Sequence, residues 1–176
     1  MNDIRVREMI DDDCEIISNA FLKQGWNKPI SQYVRYLHES HEGKRIVFIA
    51  EYKGEFAGYV TILWESDYPP FSARGIPEIA DFNVLKKFQR QGVGNLLMEI
   101  AEQYVAKRTS IVGIGVGLTS DYGAAQILYI KRGYIPDGLG VFYKGQHLKY
   151  GEQAQVDDDL VLYFTKPIFS FAKQQL

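Results

Sequence analysis

Short apolar stretches of two periods run along the chain, and the period separates strands from helices. Ile4 and Val6 alternate with charged neighbours as a first short strand. Asp11-Asp12-Asp13 then offers cap and first-turn acids to a helix carrying Ile16, Ile17, Ala20 and Phe21, since anions are favoured where helix N–H groups are unpaired. Gly25 to Pro29 breaks that helix, and Ser31 to Glu39 predicts a second one with Tyr33, Val34 and Leu37 inward. Arg45 to Tyr52 and Glu55 to Trp64 read as two strands joined by the tight turn Lys53-Gly54. After an extended loop from Pro69 to Pro77, Ile76 to Val84 predicts another strand, and Val93, Leu96, Leu97, Ile100, Ala101 and Tyr104 recur on one helical face. Ile111 to Leu118 is a β-branched strand with three glycines. A helix from Tyr122 or Gly123 to Arg132 ends at Gly133, a residue suited to the left-handed backbone that follows a helix. Tyr134 to Pro136, Val141 to Tyr143 and Asp159 to Phe164 close the pattern, with Pro136-Asp137-Gly138 a turn. The predicted order βααβββαβαββ is of the mixed α/β class, a mixed sheet with helices on both faces. It forms one domain over residues 1–168, followed by a tail over 169–176.

The junction between the strand ending at Val84 and the helix beginning near Val93 has chemistry of its own. The sequence there is Lys86-Lys87-Phe88-Gln89-Arg90-Gln91-Gly92-Val93-Gly94-Asn95. The first N–H groups of a helix have no partner inside it and the macrodipole is positive at that end, so a pyrophosphate is an apt ligand. Gly92 and Gly94 remove side chains that would hold phosphate oxygens away from those N–H groups.

Gln89-x-x-Gly92-x-Gly94 resembles the acyl-CoA pyrophosphate motif, Gln/Arg-x-x-Gly-x-Gly/Ala, of the GNAT superfamily of N-acetyltransferases. Ala125 to Tyr134 is similar to the family's A-x-x-L-Y-x-K-x-G-[FY] segment, and one helix plus one strand separates the two matches, as in the family. The resemblance covers nearly the whole chain. It implies a GNAT-like central twisted mixed sheet, largely antiparallel, in which the strand ending at Val84 and the strand from Ile111 form a parallel splayed pair that admits the pantetheine arm of acetyl-CoA. Phe82, Asn83 and Val84 would then offer backbone groups to the pantetheine, and Gln89, Arg90, Gln91, Gly92, Val93, Gly94 and Asn95 would hold the pyrophosphate. Tyr129 and Lys131 join the cofactor contacts. Tyr129 also stands in the family's general-acid position, beside the departing thiol. The resemblance further implies a carboxylate that accepts the proton of the acceptor amine. Glu78 is the first candidate, with Asp81 and Glu65 behind it. Period-two alternation puts Glu78 and Asp81 on opposite faces if their strand is regular. An asparagine often precedes the second motif where this chain has Tyr122.

The implied activity is direct transfer of acetyl from acetyl-CoA to a primary amine of a small molecule or peptide. A catalytically silent acyl-CoA-binding regulatory module and a protein N-acetyltransferase are the alternatives. Strands near the C-terminus commonly pair family members, so Val156 to Phe164 marks a homodimer surface. The formal net charge of -2 supplies no basic field for nucleic acid or an anionic membrane surface, which leaves small molecules as the expected partners. Cys14 is the single cysteine, so neither an intrachain disulfide nor a thiolate metal cluster can form; no metal is expected, and a reducing cytoplasm fits. The N-terminal residues lack a secretory h-region and no apolar run reaches membrane-spanning length, so a soluble, unexported protein is expected.

Three features are set aside. His38 and His41 lack the zinc-protease spacing, and His147 lies in a polar stretch with no evident Ser-His-Asp constellation. Gly113-x-Gly115-x-Gly117 lacks the last glycine of a dinucleotide fingerprint, and glycines along a strand more often mark the close approach of something flat.

Overall fold

Lys53 and Gly54 both take positive φ, 50° and 83°, the turn whose twist matches that of the strands it joins. β2 (Arg45–Tyr52) and β3 (Glu55–Leu63) therefore pair antiparallel, with Phe48 opposite Val60 and Ile49 opposite Tyr59. β1 (Ile4–Glu8) pairs with the other edge of β2, and β4 (Glu78–Val84) lies beside β3. The structure, a computed structural model, describes residues 3–169. Its chain divides into two compact units, Met1–Trp64 with Ile79–Val105 and Glu65–Glu78 with Ala106–Leu176.

Helices cover both faces of the first unit's sheet. Successive residues on a strand face opposite ways, so Ile49 and Tyr59 share one face while Phe48 belongs to the other. Tyr59 meets Phe21 of α1 (Asp13–Lys23) and Tyr33 of α2 (Ile30–His41), with ring centroids 5.9 and 5.6 Å apart. Phe48 meets Tyr104 of α4 (Val93–Val105) at 5.2 Å. The apolar stripes turn slightly from the sequence expectation: Tyr36 is buried and Val34 exposed on α2, and Ile16 is exposed on α1. The acids before α1 also act differently from simple caps. Asp12, at the cap position, makes no side-chain capping bond. Asp13 is buried and receives Ile10 N–H at 2.8 Å and both terminal nitrogens of Arg7, Nη1 at 2.6 Å and Nη2 at 2.7 Å.

The second unit has the strand order β5-β8-β6-β7, from β5 (Ile111–Gly117), β6 (Ile135–Tyr143), β7 (Gln146–His147) and β8 (Leu160–Pro167). All these neighbours are antiparallel. The expected pair of short strands at 134–136 and 141–143 is one strand, β6, whose pairing with β8 is interrupted between Pro136 and Val141. β7 is an addition. It follows the two-residue turn Lys144-Gly145, again positive in φ at both positions (45° and 90°). The Pro69 to Pro77 loop contains a short helix, α3 (Pro69–Ser72), with Phe71 buried. The expected tail over 169–176 lies outside the described residues except for Phe169.

The three glycines of β5 do meet flat groups, and those groups are the unit's own rings. A Cβ on Gly113 would fall 2.1 Å from Phe71, one on Gly117 would fall 2.5 Å from Tyr122, and one on Gly115 would fall 2.9 Å from Tyr163. Tyr163 is directly across the ladder from Gly115, so the ring covers the strand where a side chain is missing.

Candidate active site

After β4 the chain makes one turn of 3-10 helix at Lys86–Phe88, extends through Gln89 and then turns sharply into α4. Arg90 (φ 59°) and Gly92 (φ 90°) are both left-handed, and the first α4 hydrogen bond, Leu96 N–H to Gly92 O, is 3.0 Å long. The first-turn N–H groups of a helix have no acceptor inside it, so this turn is where donors of α4 are available. The two glycines are there for different reasons. Gly92 has open space around it, with only Ile4 Cδ1 at 3.7 Å from a Cβ position, and needs glycine for its backbone. Gly94 has an ordinary backbone, and a Cβ there would press within 3.1 Å of the Phe82 ring. Gln89 and Gln91 direct their side-chain amides back to Val84 O (3.4 Å) and Lys87 O (2.9 Å), bracing the turn. Lys87 pairs with Glu55 and Lys86 lies over the Trp26 ring at 5.3 Å, while Arg90 is exposed on the turn. Val93 is fully buried, anchoring the start of α4.

β4 departs from regular period-two alternation at Asp81. Asp81 has φ 43°, a left-handed value that aspartate tolerates better than most residues. Its carboxylate receives Tyr59 Oη at 2.6 Å, Asn83 Nδ2 at 2.7 Å, Tyr36 Oη at 2.8 Å, Gln32 Nε2 at 2.9 Å and Lys28 Nζ at 3.4 Å. Five donors address about four lone-pair sites, so this carboxylate has no vacant place for a substrate proton. Burial, followed by the charge of Asp81, holds the Tyr36 and Tyr59 phenols well above their ordinary range, and they remain donors. A second link from the same sheet reaches this bend: Arg45 Nη1 donates to Thr61 Oγ1 (2.7 Å), whose hydroxyl donates to Ala80 O (2.8 Å). Gly58 permits the close approach of β3, since a Cβ there would lie 2.5 Å from Asn83 O. Glu65 is exposed just past β3.

In the second unit, α5 (Gly123–Lys131) presents Tyr129 buried and Lys131 exposed in its last turn. The helix ends as expected. Gly133 (φ 87°) donates to Ile130 O and Tyr134 N–H to Tyr129 O, both at 3.0 Å, closing a Schellman motif. Burial, with a smaller contribution from Tyr122, pushes the Tyr129 phenol well above its usual value. Glu78 accepts a short hydrogen bond from Ser66 Oγ, and Tyr68 N–H donates to the same Ser66 oxygen at 3.0 Å. Tyr68 Oη in turn lies 2.7 Å from Asp137 Oδ2 and 2.8 Å from His147 Nε2. This group was missed in the sequence. Its signal was the Lys144-Gly145 dipeptide, a hairpin turn that brings His147 opposite Phe142.

Residues 7–134 match the family model described as the acetyltransferase (GNAT) family, most of the 176-residue chain. The chain belongs to the GNAT acetyltransferase family. No curated protein matches it in sequence. Among solved structures, it is similar to the Escherichia coli ribosomal-protein-S18-alanine N-acetyltransferase (14% identity, TM-score 0.68, covering 98% of this chain and 99% of that one). It is also similar to the Brucella melitensis ribosomal-protein-alanine N-acetyltransferase (16% identity, TM-score 0.68, 93% and 99%). The protein yncA of Salmonella typhimurium, whose structure holds its cofactor acetyl-CoA, matches at 17% identity and TM-score 0.65 over 99% of both chains. At these identities the likeness establishes the GNAT fold, the mixed α/β class read from the sequence. Among the described residues no cluster of His, Cys, Asp or Glu is placed to hold a metal ion, and no helix is long and apolar enough to cross a membrane.

Proposed function

We propose that this chain is an N-acetyltransferase that moves an acetyl group directly from acetyl-CoA to a primary amine. The observation that carries the proposal is the turn before α4: a left-handed Gly92 in open space, followed by a helix whose first N–H groups are unpaired within it, inside a GNAT domain. That donor set fits a pyrophosphate, to which the exposed Arg90 adds charge. Gln89, Arg90, Gln91, Gly92, Val93, Gly94 and Asn95 are assigned to the pyrophosphate, and the backbone of Phe82, Asn83 and Val84 to the pantetheine. Lys131 is assigned to the cofactor as well. The acetyl-CoA neighbour supports that choice of co-substrate.

Acetyl-CoA supplies an activated acyl group on a good leaving thiolate. Tyr129 is assigned to that thiolate, and its raised phenol decides how it acts. A phenol more basic than a thiol (ordinarily about 8.5) keeps its proton, so it stabilises the developing thiolate by donating a hydrogen bond. Glu78 is assigned to the acceptor amine as the carboxylate that accepts its proton. Asp81 is left out, its carboxylate being engaged by five donors of its own unit.

The test is calorimetric titration with acetyl-CoA of the wild type and of Gly92→Glu, which puts a carboxylate where the phosphates would sit. Binding lost in the variant supports the turn as the site, and equal binding removes it. Thiol release with spermidine and with a peptide beginning in alanine then separates a small-molecule from a protein acceptor. The peptide is chosen because two neighbours are named for ribosomal-protein alanine.

A further inference from the structure

We infer that Lys28 is the resident occupant of a subsite for a primary ammonium group, and that an acceptor carrying a second amine takes this place by displacing the lysine side chain. That the ligand is the acceptor rests on the acetyl-transfer reading above. The Lys28 ammonium lies 3.4 Å from Asp81 Oδ1 and 3.3 Å from Tyr59 Oη. It also stands 5.4 Å from the centre of the Phe21 ring and 5.9 Å from that of Tyr59, within the range at which an aromatic face attracts a cation. Both rings are fully buried, and Phe21 stacks on Trp26 at 5.8 Å. A carboxylate, a hydroxyl and two fixed rings thus surround one ammonium group, all within the first unit. Asp81 adjoins Phe82, the first of the three residues whose backbone is assigned to the pantetheine.

The carboxylate does not need Lys28. Tyr59, Asn83, Tyr36 and Gln32 reach Asp81 at 2.6, 2.7, 2.8 and 2.9 Å. Three of these donors address Oδ2 and only Asn83 addresses Oδ1, so Oδ1 keeps a lone pair for an incoming N–H once Lys28 leaves. The lysine gains little by staying. An ammonium has three N–H groups to place, and the two contacts it makes here are long beside those of the other donors. Its backbone is fixed separately, because Ser18 Oγ donates to Lys28 O at 2.6 Å, so the side chain can depart while the loop stays. The Lys28 and Asp81 side chains retain 22% and 21% exposure, which leaves the place open to solvent.

A ligand ammonium has no tether. It can approach Asp81 Oδ1 and Tyr59 Oη to ordinary hydrogen-bond length and meet the same ring faces. Seated in this way it carries its charge and has no lone pair with which to attack a thioester. The nitrogen that is acetylated is therefore a different one, and the ligand class is a diamine or longer polyamine.

The test is binding of n-butylammonium to the full chain at neutral pH, in wild type and Lys28→Ala, followed by the Asn83 side-chain amide signal in NMR and by melting temperature. A seat filled by its own lysine weakens a ligand in proportion to the time it is filled, so Lys28→Ala should bind at least about tenfold more tightly. Lys28→Gln removes the same charge and carries the same expectation, should the alanine variant not fold. Tetramethylammonium is attracted by rings but has no N–H, and should leave the Asn83 signal unmoved. Adding Tyr59→Phe keeps the ring, removes the hydroxyl and should lose most of the gain. Equal affinity in wild type and variant, or an equal response to tetramethylammonium, overturns the subsite. In turnover, Lys28→Ala should lower KM for spermidine by a similar factor and leave KM for acetyl-CoA unchanged; n-butylamine acetylated as efficiently as spermidine overturns the diamine class. n-Butylammonium bound as expected, with acetyl-CoA unbound by the wild type, overturns the acetyl-transfer reading and the acceptor's part in this inference, and supports the ammonium seat.

Discussion

Tyr59 donates to Asp81 at 2.6 Å, the shortest of five hydrogen bonds that converge on one carboxylate at a left-handed bend in β4. The bend and the network depend on each other. Replacing Asp81 with Ala strands several half-buried donors and should cost about 2–3 kcal/mol in urea unfolding. Asp81→Gly removes the same bonds but accepts the positive φ, and should be about 1 kcal/mol more stable than the alanine variant. Equal stabilities would show that the backbone there is not strained.

Arg7 and Asp13 make the other high-stakes pair. Asp13 is buried, and Arg7 meets both of its oxygens while reaching Glu51 with Nε at 2.8 Å. Arg7→Ala leaves a carboxylate without its cation and should destabilise by about 3–5 kcal/mol, with much of the loss recovered in Arg7→Ala/Asp13→Asn. A double variant no better than the single one would place the cost in lost packing.

Alkaline pH should loosen the core. Tyr33, Tyr36, Tyr59 and Tyr129 are buried, and their phenols are all raised above the ordinary value by burial first. Unfolding lets each fall to about 10, so the unfolded chain binds fewer protons than the folded one above that pH. Their contribution is complete below pH ~10 and declines above it, by about 1.4 kcal/mol per pH unit for each phenol until the folded forms ionise. Melting temperature followed from neutral to strongly alkaline pH, together with phenolate absorbance, measures it. A melting temperature that holds steady well above pH ~10 would contradict it.

For Tyr129→Phe, the loss should be in turnover, about 100-fold, with acetyl-CoA affinity close to wild type. Because the phenol lies high, wild-type turnover should show no limb from its ionisation between neutrality and pH ~9. Unchanged turnover in the variant would assign the thiolate to water or another donor.

The hairpin at Lys53-Gly54, the turn into α4 and the Gly133 helix end were legible in the sequence because each depends on a few adjacent residues whose backbone demands are strict. What escaped was set at long range. The bend at Asp81 is invisible to alternation because side chains from Lys28 to Tyr59, far apart in sequence, hold it in place. Tyr68 and His147 stand 79 positions apart, and nothing local marks either as the other's partner. The Phe82 ring packed close to Gly94 is likewise a contact that only three dimensions reveal.

The fit of Phe71 over Gly113 also constrains how this protein can change over generations. With a Cβ position 2.1 Å from that ring, any enlargement of residue 113 is barred until residue 71 has first become smaller. The same order of events binds Gly117 to Tyr122. Lineages descending from this chain would therefore exchange these positions as pairs, ring before glycine.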